Sequence, residues 1–153
     1  MLETPHVVVA AAIATHVVHP GLALPIALAS HFLLEKVPHW NPHLGTEIRT
    51  FGYITNRTTI LVTLDSLTAL CLGSYLSLRV LPNTTLFMTV LLSCFLACLP
   101  DIVEAPYYFL NKKSQLIEKW IKFQKSLQVD TTPFWGILTQ VIVIGAALWW
   151  TLG

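Results

Sequence analysis

Long apolar runs, separated by short polar or proline-containing breaks, dominate the chain. They cover residues 5–18, 22–37, 59–81, 85–99 and 133–153. The hydrocarbon core of a membrane, about 30 Å thick, needs about 20 helical residues. The third and fifth runs reach that length, and the fifth predicts a terminal transmembrane helix over residues 133–152. The pattern therefore predicts an all-α fold, a polytopic membrane helical bundle.

A Pro-Gly turn signal, His19-Pro20-Gly21, joins the first two apolar runs. Such a dipeptide marks a tight turn, so residues 3–39 are predicted to form a helical hairpin. One long helix kinked at Pro20 is the alternative. Each run is shorter than a full span, which leaves the depth of this hairpin in the bilayer open.

An internal repeat predicts a second hairpin. A shift of 62 residues places Glu3 on Asp65, and the same shift places Pro20 on Pro82. We therefore predict a pseudo-repeated hairpin over residues 59–101. Repeats are common in membrane transport proteins, where ligands bind near the interface between the halves.

A basic segment, residues 111–128, separates the second hairpin from the terminal helix. Its five lysines alternate with apolar residues at helical spacing: Lys112, Lys113, Lys119, Lys122 and Lys125. The spacing predicts an amphipathic helix in the membrane interface, in contact with anionic lipid headgroups; a solvated linker helix is the alternative. Because most Lys and Arg residues lie here and between the hairpins, the positive-inside rule predicts a cytoplasmic N-terminus.

Composition agrees with a membrane protein. Of the 153 residues, 54% are hydrophobic and 11% are charged, against about 25% charged in soluble domains. The net charge of +1 gives no basis for nucleic-acid binding. The three cysteines lie inside apolar runs, which indicates small buried side chains and not a disulfide framework.

Polar side chains within the apolar runs are the candidate functional residues. His31, Glu35 and His39 are spaced four apart and therefore share one face of a helix. Asp65 and Asp101 approach the same side of the membrane from the second hairpin. Imidazole and carboxylate groups bind zinc, manganese or iron, so these five residues are the predicted ligands, with zinc as the first choice. Glu35 and Asp101 are also the candidate catalytic bases.

Weaker candidates and a non-catalytic alternative also emerge from the sequence. His6 and His43 are less well placed, and Glu104 fits an interfacial charge. The five predicted ligands could instead form a polar network that fastens helices together. Their convergence on one side of the membrane favours a metal site.

The run SHFLLEKVPHWNPH, with the later LPDIVEAP, resembles a bacterial inner-membrane family described as membrane-bound metal-dependent hydrolases. That family has a buried histidine, an acidic residue one turn later, and a Pro-His or Leu-Pro-Asp sequence that closes each hairpin. His31, Glu35 and Pro38-His39 fill the first set of places, and Asp101 closes the second hairpin. Asp65 matches an acid within the membrane.

This resemblance covers residues 10–110 and implies a divalent metal, hydrolytic activity and a bacterial inner-membrane location. The sequence departs from the family pattern at three places. Glu35 stands where an aspartate is expected, and Asn41 stands where an aspartate often follows the His-Trp pair. Glu104 is found in place of a second histidine after Leu-Pro-Asp. The resemblance does not supply a substrate.

Residues and resemblance together lead to one hypothesis, a membrane-embedded hydrolase with a cytoplasm-facing metal site. A bound divalent cation would activate water for attack on an ester or phosphoester, and a site at headgroup level suits a lipid-derived substrate. A transporter or an ion or proton relay could use the same charged residues. A structural membrane protein would use them only to pack helices.

Overall fold

The computed structural model describes residues 1–153 as seven α-helices, with no β-strand. In chain order they are α1 (Glu3–Val17), α2 (Pro20–Leu34), α3 (Leu44–Phe51), α4 (Asn56–Leu78), α5 (Thr84–Phe109), α6 (Gln115–Leu127) and α7 (Pro133–Leu152). The predicted all-α helical bundle is confirmed. The relation of the two hairpins as a repeat stays a prediction.

Three helices, α4, α5 and α7, are long and apolar enough to cross a membrane. Large apolar side chains on the outer faces of α4 and α7 are 58–65% exposed, among them Leu64, Leu70, Val141 and Ile142. A continuous apolar surface of this kind is stable in contact with lipid and not with water. The chain is therefore a helical membrane protein.

The first hairpin consists of two helices and not of one kinked helix. α1 ends at Val17 and α2 begins at Pro20. Proline suits the first position of a helix because the N–H that it lacks would have no partner there. The two helices pack against each other, so the N-terminus of α1 lies beside the C-terminus of α2.

α1 is the central helix of the bundle and packs against α2, α4, α5 and α7. Its buried alanines are Ala10, Ala11, Ala12 and Ala14. Small side chains let neighbouring helices approach closely, so this helix of 15 residues, about 22 Å long, fits inside the bundle. Its first two turns bring His6 into the interior.

α5 is longer than the sequence predicted. The second hairpin was expected to end near residue 101, but α5 continues through Pro100 and Pro106 to Phe109. Proline removes one backbone hydrogen bond from a helix, and here two side chains of α6, Trp120 and Gln124, hold the stretch between the two prolines. Trp120 Nε1 donates to the Pro100 carbonyl at 3.1 Å. Asp101 therefore lies inside a helix and not after its end.

α3 is a short helix that the sequence pattern does not predict, and its Glu47 holds the start of α4. The Glu47 carboxylate accepts hydrogen bonds from Thr58 Oγ1 at 2.6 Å and from the Thr55 N–H at 2.8 Å. These hydrogen bonds, with Thr58 as the largest contribution, hold the pKa of Glu47 below its usual value. The contacts join the loop between the hairpins to α4.

Acid is expected to loosen the junction of α3 and α4. Because the folded-state pKa of Glu47 is depressed, its stabilisation is complete above the unfolded pKa, about 4.3, and is lost as the pH falls through the folded-state pKa. Hydrogen–deuterium exchange of residues 44–58, corrected for intrinsic rates, should therefore rise below about pH 4. In Glu47→Gln the exchange should be fast at every pH. Glu118→Gln on α6 is the control, and an acid response that persists in Glu47→Gln would contradict the prediction.

Candidate metal centre

A cluster of buried polar side chains lies where the start of α1, the end of α2 and the middle of α5 meet. Its members are His6, His31, Glu35 and His39, which are 0–2% exposed, and the partly exposed Asp101. α6 closes the cluster through Gln124. Ionisable side chains at such a depth are costly unless they are paired or bind something.

His6 is the most unusual residue of this cluster. Its ring is fully buried, and neither Nδ1 nor Nε2 has a hydrogen-bond partner. Nε2 lies 3.4 Å from Glu35 Oε1, and the ring stacks on His31 with centroids 4.2 Å apart. An unsatisfied buried polar group costs about 1–3 kcal/mol, so these nitrogens suit a ligand that binds them.

Gln124 connects His31 to two carboxylates of α5. Its Nε2 donates to Asp101 Oδ1 at 3.1 Å and to Glu104 Oε1 at 2.7 Å. Its Oε1 therefore faces His31 Nε2, at 2.9 Å. His31 Nδ1 lies 2.8 Å from the Ala97 carbonyl. A neutral imidazole has one N–H and can donate to only one of these two oxygens.

His31 Nε2 is also 3.9 Å from Asp101 Oδ1. If Nδ1 carries the proton, Nε2 directs its lone pair at the side where the Gln124 amide and Asp101 lie. A cation bound to Nε2 would then have a carboxylate as its neighbour. It would also contact the Gln124 amide oxygen.

Glu35 and His39 form the other half of the cluster. Glu35 Oε2 has no hydrogen-bond partner and lies 3.5 Å from His39 Nε2. The amino group of Met1 contacts Oε1 of the same carboxylate. His39 Nδ1 donates to the Val37 carbonyl at 2.7 Å, a contact that fixes the tautomer. The Nε2 lone pair then lies 3.5 Å from both Glu35 Oε2 and the Asn41 amide nitrogen. Burial lowers the pKa of His39, which keeps the ring neutral and able to bind a metal.

The backbone around His39 is fixed by the segment before α7 and by α7 itself. His39 donates its N–H to the Val129 carbonyl at 3.0 Å, and its carbonyl accepts from the Thr131 N–H at 3.1 Å. Thr139 Oγ1 donates to the Pro38 carbonyl at 2.6 Å, and Gln140 Nε2 donates to the Trp40 carbonyl at 2.9 Å. Gly136 allows this close approach because its face toward the loop carries no Cβ.

The donor atoms are suitable for a divalent metal ion. One ligand atom each from His6, His31 and Asp101 lies within 4.8 Å of the other two. Two ligands of one zinc ion are at most about 4.2 Å apart, so a small inward movement of the side chains would bring all three within bonding distance. Glu35 and His39 are adjacent as additional ligands. The buried His6 nitrogens, which make no well-formed hydrogen bond, are suitable for binding a metal ion.

Asp65, the fifth predicted ligand, lies beside the start of α1, where it contacts the backbone and not the histidine cluster. Its carboxylate accepts hydrogen bonds from the Glu3 N–H at 2.6 Å, from the Thr4 N–H at 3.3 Å and from Thr4 Oγ1 at 2.6 Å. The first N–H groups of a helix have no partner within the helix and carry a partial positive charge. Asp65 therefore caps α1 from α4, and it makes no hydrogen bond to the histidines.

The structure thus brings four of the five predicted ligands close together: His31, Glu35, His39 and Asp101. Metal binding by these residues stays a prediction. His6 and Gln124 are the members that sequence reasoning missed or ranked too low. His6 lies 12 residues before Val18, and His31 lies 12 residues after His19. Positions at equal distances from the turn of an antiparallel hairpin face each other, so this symmetry was available as a signal.

A cavity of about 980 Å³ opens beside the cluster. The three histidines and Glu35 do not line it, but Asp101, Glu104 and Gln124 do. Asp101 is 29% exposed and contacts His31 on its other side. The cavity therefore reaches the cluster through Asp101 and Gln124.

Comparison of the chain with protein-family models, with curated proteins and with solved structures finds no match. The resemblance to membrane-bound metal-dependent hydrolases therefore stays a prediction that rests on sequence motifs.

Proposed function

We propose that the protein is a membrane-embedded metal-dependent hydrolase. The observation that carries the proposal is His6, a fully buried imidazole with no well-formed hydrogen bond at either nitrogen, which stacks on His31 and has Nε2 3.4 Å from Glu35 Oε1. In a purely structural polar cluster we would expect hydrogen-bond partners for this ring, because buried polar groups are almost always paired. A divalent cation, zinc first and manganese or iron as alternatives, supplies the missing partner.

His6, His31 and Asp101 would hold the ion, with Glu35 and His39 as further ligands or as groups that orient them. When bound, such an ion polarises a water and the bond to be broken. Hydrolysis transfers OH from water to the acyl or phosphoryl group, and the leaving oxygen receives the remaining proton. The reaction needs no other reactant.

The residues at the cavity wall suit the movement of that proton. Asp101 lies between His31 and the cavity, and Gln124 holds it next to Glu104. A carboxylate in this position can accept a proton from a molecule in the cavity and release it to the leaving group. Gln124 keeps both carboxylates oriented, which makes it a positioning residue. Glu35, the other predicted base, lies deeper and does not line the cavity.

The location of the site is also part of the proposal. The lysines of α6 and the Lys and Arg residues between the hairpins lie at the end of the bundle that carries the cluster. By the positive-inside rule this end is cytoplasmic. We therefore propose a bacterial inner-membrane protein whose N-terminus and metal site face the cytoplasm, with α6 in contact with anionic headgroups.

Metal content tests the proposal directly. Elemental analysis of the detergent-purified protein is expected to show near-stoichiometric zinc, manganese or iron. His6→Ala and His31→Ala should both lose it, since each removes one of the converging ligands. His16→Ala is the matched control: His16 also lies on α1, but it stacks on Trp150 at the other end of the bundle, and this variant should keep the metal.

A different outcome would favour a packing network. Gln124 already bonds to His31, Asp101 and Glu104, and this arrangement fastens α6 to the bundle without a metal. If the wild-type protein takes up no metal after reconstitution, and His31→Ala lowers only the unfolding temperature, the hydrolase proposal fails. Metal or proton flux in proteoliposomes without hydrolysis would favour the transporter alternative.

A further inference from the structure

Carboxylates dominate the charged lining of the cavity beside the cluster. Six of them line it, Glu3, Asp65, Asp101, Glu104, Glu118 and Asp130. The lining has only three cationic side chains, and all three are exposed, whereas Glu3, Asp101 and Glu104 are half-buried. No lysine or arginine of the chain forms a salt bridge. The inner part of the cavity therefore has a negative charge that no side chain compensates.

Three of these carboxylates have oxygens that are free to accept a hydrogen bond. Glu3 Oε2 is buried and has no hydrogen-bond partner. Asp101 and Glu104 each use one oxygen, Oδ1 and Oε1, to accept from Gln124 Nε2, and no hydrogen bond uses the second oxygen of either residue. Asp65 differs, since both of its oxygens accept from the start of α1. Buried polar groups are almost always paired, so the three free acceptors point to a ligand that donates hydrogen bonds.

The three carboxylates are close enough to act on one ligand. Gln124 Nε2 is 3.1 Å from Asp101 Oδ1 and 2.7 Å from Glu104 Oε1, so a single nitrogen can serve both residues. Glu3 is also near Asp101: burial and the negative charge of Asp101 raise the pKa of Glu3. A cation bound between these carboxylates removes their mutual repulsion and the cost of burying them unpaired.

The spacing and the size of the cavity favour an organic cation over a metal ion. The one set of three ligand-type residues whose atoms converge within 4.8 Å is His6, His31 and Asp101, and it includes neither Glu3 nor Glu104. An ammonium group binds oxygens at about 2.9 Å, against about 2.1 Å for a metal such as magnesium, so it suits more widely spaced carboxylates. A volume of about 980 Å³ also has room for an organic molecule.

We propose that this cavity binds the primary ammonium group of a small organic molecule. Its three N–H groups donate to the free oxygens of Glu3, Asp101 and Glu104. The carbon part of the molecule lies against Tyr107 and Tyr108, which also line the cavity. This binding requires no metal. The use of the molecule as a substrate, an ester or phosphoester that carries a primary amine, rests on the proposed hydrolase function.

Binding of butylammonium to metal-stripped protein in detergent tests the site, with saturation-transfer NMR as the measurement. We expect saturable binding of butylammonium and none of 1-butanol, which has the same chain without the charge. Tetramethylammonium has the charge but no N–H group and should bind at least about tenfold more weakly. Glu3→Gln and Glu104→Gln should each weaken butylammonium binding about 10–100-fold, because each removes a charged hydrogen-bond acceptor.

Asp130→Asn is the matched control for the charge of the cavity. Asp130 also lines the cavity, but it is exposed, so its removal changes the total charge by the same amount without touching the three inner carboxylates. This variant should bind butylammonium within about twofold of the wild type, since exposed charges contribute little. Size-exclusion profiles check that each variant folds, and if Glu3→Gln does not, Glu104→Gln decides the test.

Two results would overturn the proposal. Equal weakening in Glu3→Gln, Glu104→Gln and Asp130→Asn would show that the probe reports only the total charge of the cavity. Displacement of butylammonium by one equivalent of magnesium or calcium would show that the carboxylates hold a metal ion instead. The hydrolase proposal fails or stands separately. Saturable amine binding by a protein that takes up no metal would establish the amine site alone, and metal uptake without amine binding would do the reverse.

Discussion

Replacing Gly136 by alanine is expected to destabilise the protein by about 1–3 kcal/mol and to weaken metal binding about 10–100-fold. A Cβ at position 136 would lie 2.5 Å from the Trp40 Cβ and 2.8 Å from the His39 carbonyl carbon, and it would also overlap the Trp40 backbone nitrogen. The loop cannot yield cheaply, because Thr139 and Gln140 hold its carbonyls on both sides of His39. Relief of the clash must therefore displace the backbone at His39 or α7 itself, and either change disturbs the position of the His39 ring beside Glu35.

Gly145→Ala is the matched control for this prediction. Gly145 lies on the same helix, and a Cβ there would meet no atom within 4 Å. Alanine is the better helix former by about 0.5–1 kcal/mol, so this variant should be neutral or slightly stabilised, with unchanged metal content. Thermal unfolding in detergent and elemental analysis measure both effects. A Gly136→Ala protein with wild-type unfolding temperature and metal content would show that the loop around His39 is not held as described.

The helical organisation could be predicted from the sequence because lipid imposes simple requirements. An apolar run of sufficient length predicts a helix such as α4 or α7, and a Pro-Gly pair predicts the turn before α2. The end of α5 could not be predicted in the same way. In the sequence alone, Pro100 resembles a signal that ends a helix. In the fold, Trp120 of α6 donates a hydrogen bond to the Pro100 carbonyl. The sequence around Pro100 does not show this contact, because α6 is a separate helix later in the chain.

The candidate site was predictable only where its residues share a helical face or a loop that follows it. The spacing of His31, Glu35 and His39 is local, but the shared helical face is not what joins them: α2 ends at Leu34, and His39 approaches Glu35 from the loop after the helix. The role of Gln124 depends on how α6 lies across α5. The periodicity of apolar residues in the sequence does not predict how two helices pack against each other. Asp65 could not be assigned from the sequence because a carboxylate within an apolar helix is compatible with two uses, metal binding and capping of a neighbouring helix. Only the alignment of α1 with α4 distinguishes between them.

Asp65→Ala is expected to lower the free energy of unfolding by about 2–4 kcal/mol. The substitution removes the acceptor of two backbone N–H groups and one hydroxyl at the N-terminus of α1, where the helix dipole favours a negative charge. Asp65→Asn keeps one oxygen acceptor without the charge and should therefore lose less. Denaturant titration in detergent micelles, followed by tryptophan fluorescence, measures the differences.

The metal content of the same variants distinguishes a cap from a ligand. If Asp65 caps α1, Asp65→Asn is destabilised but binds metal as the wild type does, because His6, His31 and Asp101 are intact. His6→Ala should lose the metal; because removal of its fully buried ring also leaves a cavity, the metal content and not the stability distinguishes this variant from Asp65→Asn. Loss of metal from Asp65→Asn without loss of stability would restore Asp65 to the ligand set that the sequence predicted. The two variants together therefore separate what holds α1 in place from what the buried histidines bind.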